Sequence, residues 1–373
     1  MKLFKQSLVI GCLSLMCFSC SNDDLDDTEM IIEPIIEPIT EVPTEPILED
    51  LVYQNGFLVT NQGPFGEGFG TVSFAGSDLV DAENGIYQEV NNDNLGNIVQ
   101  SMGFNDDNAY IVANVGNRIT VVNRFTFEES ARITEGLENP RYFEASNGKG
   151  YVSNWGDPFV TTDDYVAIVD LTTNTITSTI SVGEGPERIL VDGDTVYVAL
   201  RGGFGVNNQI VVIDAITDTV SATITVGDVP DSMRLDANGD LWVIAAGSPS
   251  FTGNETPGMM SRIDTATQEV AVNYAFETME HPSFLNIVGD DLFYYLNAGV
   301  YRTTVSDFSI PEAPAFETAF LQNMFASDAN TLLGCDAGDF ASNGNLRVYD
   351  LSTGEEMATL EVGIIPSEVY INE

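Results

Sequence analysis

A phrase of the form V-G-x-x-P recurs along this chain, each time followed by a β-type run, a tight turn and a second β-type run. It reads ISVGEGPERILVDGDTVYVAL at residues 180–200 and ITVGDVPDSMRLDANGDLWVI at 224–244, and it closes the chain as LEVGIIPSEVYINE. The proline falls at Pro140, Pro186, Pro230, Pro282 and Pro366, at intervals of 46, 44, 52 and 84 residues. The last interval is two periods, so a degenerate copy belongs near Gln322. One period before Pro140 lies another copy without the proline, around Gly96 in NLGNIVQSMGFNDDNAYIVA. The chain therefore carries seven phrases.

A second marker keeps the same period. Asp170, Asp214, Asp264 and Asp350, with Asn123 in the equivalent role, each precede a hairpin, mostly Thr-rich. Such a side chain accepts hydrogen bonds from the amides of the turn, so these acids are structural once per repeat. Between the markers each period holds four strands, as in PERILVD, TVYVAL, QIVVIDA and TVSATITV. A four-stranded unit of this length is the signature of a β-propeller blade. The chain ends on a first strand, and GFLVTNQG, GTVSFAG and GIYQEV at residues 56–90 supply the other three. Sharing one blade between the chain ends hides both sheet edges. The expected fold is an all-β seven-bladed β-propeller over residues 52–373, with four-stranded blades and the closing blade shared between the termini.

In such a ring the loops from second to third strand share one face, and here they differ in length. Those at 114–117 and 297–301 are short; those at 61–70, 154–165, 201–209, 247–260 and 336–345 are long. Insertions confined to one loop class mark a binding face. The loops carry Phe65, Phe69, Trp155, Phe159, Phe204, Phe251, Tyr301 and Phe340 among glycine, asparagine and serine. Rings in such company suit a flat amphipathic ligand or a sugar, or else fill gaps between blades. Arg141 and Arg188 follow motif prolines and Arg201 opens a loop. They either meet phosphate, carboxylate or amide groups of a ligand or pair with local acid.

Charge excludes other functions. Only 13 basic residues stand against 57 acidic ones, so there is no basic stripe to neutralise phosphates and no nucleic acid is expected as partner. The sole histidine, His281, precludes a histidine triad or a multi-histidine metal site. No catalytic residue, metal or cofactor is assigned, and a ligand-binding protein rather than an enzyme is expected. An acid pair among so many carboxylates leaves a metal-dependent hydrolase or lyase as a weaker alternative.

The N-terminus reads as an export signal. Lys2 and Lys5 precede the apolar stretch SLVIGCLSLMCF, which ends at Ser19 and Cys20. The stretch is short for a stable membrane span. A cysteine at the cut position is similar to the lipobox of bacterial lipoproteins, in which its thiol is lipidated; Cys17 replaces the usual leucine. Cleavage near Ser19 as an ordinary secreted protein, or at Cys12, is the other reading. On the first, residues 1–19 are a lipoprotein signal peptide and Cys335 is the one cysteine left for the folded domain, a small buried hydrophobe. Residues 20–51 form an acidic and Pro-rich tether: SNDDLDD, then prolines every few residues, which favour an extended spacer.

The order of phrases resembles a family of surface propeller lipoproteins of the Bacteroidota. The resemblance spans residues 52–373 and rests on VYQNGFLVTNQGPFGEGFGTVSF, VNNDNLGNIVQSMGFNDDNAYIVANVGNRITVVNRFTFE, GLENPRYFEASNGKGYVSNWG and VGEGPERI, in that order. The SNDDLDD segment resembles the signal that sends such lipoproteins to the outer face of the outer membrane; a solvated linker has the same composition. The best-understood members bind corrinoids and hand cobalamin to a TonB-dependent outer-membrane transporter. The resemblance implies that role here, with membrane attachment through the lipid anchor only. The expected ligand-binding set is Trp155, Arg201, Phe204, Phe251, Arg188, Arg141, Tyr301, Phe340 and Phe69. A glycan-binding or adhesive surface protein would use the same aromatic face.

Overall fold

The computed structural model of the chain describes residues 52–66 and 68–373. The expected signal peptide, Cys20 and the tether lie outside the described residues. Seven four-stranded antiparallel sheets follow one another. Their inner strands touch in cyclic order: Val99–Asn105, Pro140–Ser146, Pro186–Asp192, Pro230–Leu235, Ser283–Val288, Asn323–Ala326 and Pro366–Asn372, which returns to the first. The fold is the all-β seven-bladed propeller expected from the period. Blade 1 joins the first three strands of the described residues to the last, Pro366–Asn372, and blades 2 to 7 follow in sequence.

Closure is a strand pairing between the termini. Pro366–Asn372 runs antiparallel to Gly56–Asn61, with Gly56 opposite Asn372 and Val59 opposite Val369. Hydrogen bonds to blade 2 tighten the seam: the Met102 amide donates to the Tyr370 hydroxyl at 2.8 Å and Arg124 Nε to Asn372 Oδ1 at 2.5 Å. The outer strand of the shared blade departs from the sequence reading. It is Ala82–Asn84, not GIYQEV. Gly85, at φ +69°, ends the strand, and Ile86–Asn91 forms a short helix that buries Ile86 and Tyr87.

The second and third strands of the blades are buried in continuous runs, on both faces of the sheet, while outer strands are largely exposed, so the core is seven apolar clusters between adjacent blades. Leu58, Val72, Met102 and Ile111 fill the gap between blades 1 and 2; Leu346, Val348 and Val369 fill that between blades 7 and 1. Cys335 is fully buried in the latter cluster, as a small hydrophobe should be. The periodic acids cap their hairpins as expected. Asp214 Oδ1 accepts from the Ile216 and Thr217 amides at 2.8 and 3.0 Å, and Asp170, Asp264, Asp350 and Asn123 do the same work in their blades. Bonds to the amides hold the Asp214 carboxyl below its usual range. Among the described residues no helix is long and apolar enough to cross a membrane.

Candidate functional site

The motif proline begins each inner strand in blades 3, 4, 5 and 1. An inner strand has no partner on its axial side, so a residue without an N–H is tolerated there. Just after the proline the pairing slips: between Pro140 and Phe143, Pro186 and Ile189, and Pro230 and Ser232. A bulge bends the strand and re-aims its side chains. The residues so displaced, Arg141, Tyr142, Glu187, Arg188 and Asp231, all line one cavity at the mouth of the channel. In blade 1 the same slip lies opposite Thr60 and Asn61, and Ser367 and Glu368 join the lining.

The mouth cavity has a volume of about 620 Å³. Its floor is ionic. Arg141 donates to both oxygens of Glu187, at 2.9 and 2.7 Å, and Arg188 to both oxygens of Glu368, at 3.1 and 2.7 Å. The second pair spans the ring, since blade 4 and blade 1 are three blades apart. The Tyr142 hydroxyl gives Glu368 a third donor at 3.1 Å, and the Arg188 guanidinium lies 4.7 Å from the Tyr142 ring centroid. Burial pushes the Glu187 carboxyl up, but Arg141 beside it outweighs burial and holds it below the usual range. These pairs are well shielded: the four side chains are 4 to 19% exposed. The cavity thus has charged walls that mostly cancel.

One wall is aromatic. Trp155 donates its indole N–H to the Pro186 carbonyl at 3.0 Å and carries the Arg141 guanidinium 4.2 Å from its ring centroid. Phe204 meets Trp155 edge-on at 5.9 Å, and Phe159 lies 5.8 Å beyond Phe204. Phe65 comes from the loop of blade 1. Phe65, Phe159 and Phe204 are 67, 85 and 73% exposed, a run of apolar surface that solvent alone does not favour. Gly185, at φ +70°, allows the two loops under this wall to touch: a Cβ there would lie 1.9 Å from the Gly203 amide nitrogen. Arg201 closes the site. Its side chain is 38% exposed, and its one ion pair, with Glu187, is loose at 4.0 Å.

Of the nine expected ligand-binding residues, the structure brings Trp155, Arg201, Phe204, Arg188 and Arg141 together here. The other four are elsewhere. Tyr301 is a strand residue, stacked on Tyr294 at 5.1 Å within the core of blade 6. Phe251 stands 87% exposed in a 3-10 turn of blade 5, outside the lining. Phe340, at φ +61°, is at a loop bend of blade 7, and Phe69 borders a separate depression beside Gly363. The loop wall thus comes from blades 1 to 4, and blades 5 to 7 give only strand-start residues such as Asp231, Phe284 and Asn323. Both arginines following motif prolines take the acid-paired reading, and Arg201 makes no side-chain hydrogen bond among the described residues. His281 also lies apart, its Nδ1 2.8 Å from the Ala246 carbonyl and its Nε2 3.4 Å from Glu255. The floor partners Glu187, Glu368, Tyr142 and Asn323 were missed by sequence reasoning; their signal was position, since three of them fall one or two residues after a motif proline.

Comparison with known proteins agrees on the fold. The chain is similar to a quinoprotein alcohol dehydrogenase-like protein from Bacteroides thetaiotaomicron, 12% identical over 86% of this chain and 79% of the other, with a TM-score of 0.61. It is similar also to the computationally designed Ika8 protein, 12% identical over 83% of this chain and 89% of the other, TM-score 0.52. At such identities the likeness concerns architecture alone. No curated protein matches the chain. Residues 55–362 match the family described as a domain of unknown function (DUF5074), and the chain belongs to that family.

Proposed function

We propose that this propeller is a binding protein whose ligand sits at the mouth of the channel, that the ligand is a corrinoid, and that the protein passes it to a TonB-dependent outer-membrane transporter while anchored by a lipid on Cys20. The observation that carries the binding site is the pairing of an exposed aromatic wall with one under-used guanidinium over a single cavity. A corrin is a broad disc with an apolar face and an amide-fringed rim. Trp155, Phe204, Phe159 and Phe65 suit the face, Asn139 and Gln100 suit the rim amides, and Arg201 suits the phosphate of the nucleotide loop. The cavity is smaller than the disc would need for enclosure, so the ligand covers the mouth.

A binding role also fits the state of the carboxylates. Glu187 and Glu368 are held in bidentate pairs with arginine, which leaves neither free to take a proton as a general base. The choice of a corrinoid over a glycan rests on the resemblance in the sequence, and one optical experiment separates them. The chain has two tryptophans, Trp155 at the mouth and Trp242, fully buried and bonded to Asp236. Cyanocobalamin should quench the Trp155 emission saturably, and Trp155→Phe should abolish that saturable component. Quenching by glycans instead, with none by cyanocobalamin beyond its own absorption, moves the protein to the glycan-binding class.

A further inference from the structure

A second cavity lies on the ring axis beneath the mouth. Its volume is about 320 Å³. Tyr142, Arg188, Asn323 and Glu368 line both cavities, so the Arg188–Glu368 pair stands between them. Met102, Phe143, Ile189, Met324 and Phe325 give part of the lower wall an apolar surface among polar and charged side chains. Besides the Arg188–Glu368 pair, two more charged side chains line this cavity: Glu144 from the inner strand of blade 3 and Arg234 from that of blade 5.

Arg234 is the anomaly. It donates to the neighbouring Met233 carbonyl at 2.8 Å, and among the described residues it joins no ion pair. The two other arginines on the axis that lie as deep, Arg141 and Arg188, each hold a carboxylate with two hydrogen bonds. A guanidinium removed from water without a carboxylate in hydrogen-bond contact is costly; Glu144 and Glu368 line the same cavity and attract Arg234, but neither forms an ion pair with it. Burial, with repulsion from Arg188, pulls the Arg234 guanidinium down to about 10, which still leaves it charged at neutral pH. A cation with no carboxylate hydrogen-bonded to it, lining a cavity that also presents methionine and phenylalanine side chains, is the half of an ion pair that a ligand completes.

We propose that the lower cavity binds a small monocarboxylate, its carboxylate on Arg234 and its short carbon chain against the methionine and phenylalanine walls. The volume equals that of about ten waters, room for a short acid. Glu144 sets the charge balance. Burial pushes its carboxyl up to about 7, partly offset by attraction to Arg234. The charged and titratable groups around it are Tyr142 on its own strand, Arg188 from blade 4, Arg234 from blade 5, and Glu368 and Tyr370 from blade 1; blades 2 and 7 present Met102, Asn323, Met324 and Phe325. Protonated, Glu144 leaves a single positive charge for a monoanion and adds an O–H donor. Ionised, it competes with the ligand for Arg234. Binding at a pH where Glu144 is ionised therefore takes one proton from solvent onto its carboxylate, so that the charge in the cavity is unchanged. Affinity falls as pH rises above about 7.

Calorimetry on the full-length protein with acetate, butyrate and inorganic phosphate tests this. At about pH 6 butyrate should bind one per chain, severalfold tighter than acetate, with phosphate weaker than both; affinity should drop about tenfold for each pH unit well above 7. Arg234→Met should weaken butyrate at least tenfold. Glu144→Gln should keep butyrate binding but flatten its pH dependence, and this decides the matter if the Arg234 variant fails to fold. No heat from butyrate, unchanged affinity in Arg234→Met, phosphate binding as tight as butyrate, or a pH dependence that survives Glu144→Gln would each overturn the assignment. The outcome is independent of what covers the mouth.

Discussion

Removing the carboxylate at the centre of the ring, by Glu368→Ala, should destabilise the whole domain. The carboxylate accepts two hydrogen bonds from Arg188 and one from Tyr142, and the two partners of the ion pair are 19 and 12% exposed. Taking it away strands the Arg188 guanidinium, with the Asp231 carbonyl at 3.1 Å as its remaining acceptor and Arg234 close enough to repel it. Breaking a buried pair from one side costs about 3–5 kcal/mol, mostly the burial of the charge left behind. Unfolding entropy of about 2.1 cal/mol/K per residue over the roughly 320 residues of the ring makes 1 kcal/mol worth about 1.5 °C, so the melting temperature should fall by about 5–7 °C. The assay is scanning calorimetry of the wild type, Glu368→Ala, and the double variant Arg188→Met/Glu368→Leu. The double variant removes both charges and should recover most of the loss. A single variant that melts within about 1 °C of wild type, or a double variant no better than the single, would refute the reasoning that the pair is buried and mutually dependent.

Gly185→Ala should push the loop at 201–208 away from that at 184–186, because φ is +70° there and a Cβ would strike the Gly203 nitrogen. Cyanocobalamin affinity should fall as Arg201 and Phe204 shift; wild-type affinity and melting would mean the loops do not touch. Cys20→Ala should release the protein from membranes into the soluble fraction, and external protease should remove the wild-type domain from intact cells. Protection of that domain in intact cells would place it elsewhere than the surface.

The ring was legible because a repeat announces itself through what each blade needs: a proline where the axial strand starts and an Asp or Asn to close each hairpin. The shared blade followed from counting strands at both ends. GIYQEV misled because its residues suit either structure over so short a length, and Gly85 with its positive φ decides for a helical turn. The mouth was half legible. Trp155, Phe204 and Arg201 sit in long glycine-rich loops, which are conspicuous in sequence. The floor was not, because its partners are set by closure: Arg188 and Glu368 are 180 positions apart and meet only when the ring is complete. Tyr301, Phe251, Phe340 and Phe69 show the limit of reading a ring as a contact. Phe251 and Phe340 sit in loops of blades 5 and 7 that stay outside the lining, Tyr301 is a strand residue packed on Tyr294, and Phe69 shares the blade 1 loop with Phe65 yet borders Gly363 instead.

Calorimetric titration of the protein with cyanocobalamin tests the central claim most directly. The account predicts one corrinoid per chain with a nanomolar dissociation constant, about −12 kcal/mol, which several covered rings and a charge-assisted bond can supply together. It also predicts that Trp155→Ala with Phe204→Ala weakens binding by roughly tenfold or more and leaves the melting temperature nearly unchanged. Absence of heat and of any absorbance change at micromolar protein would contradict it.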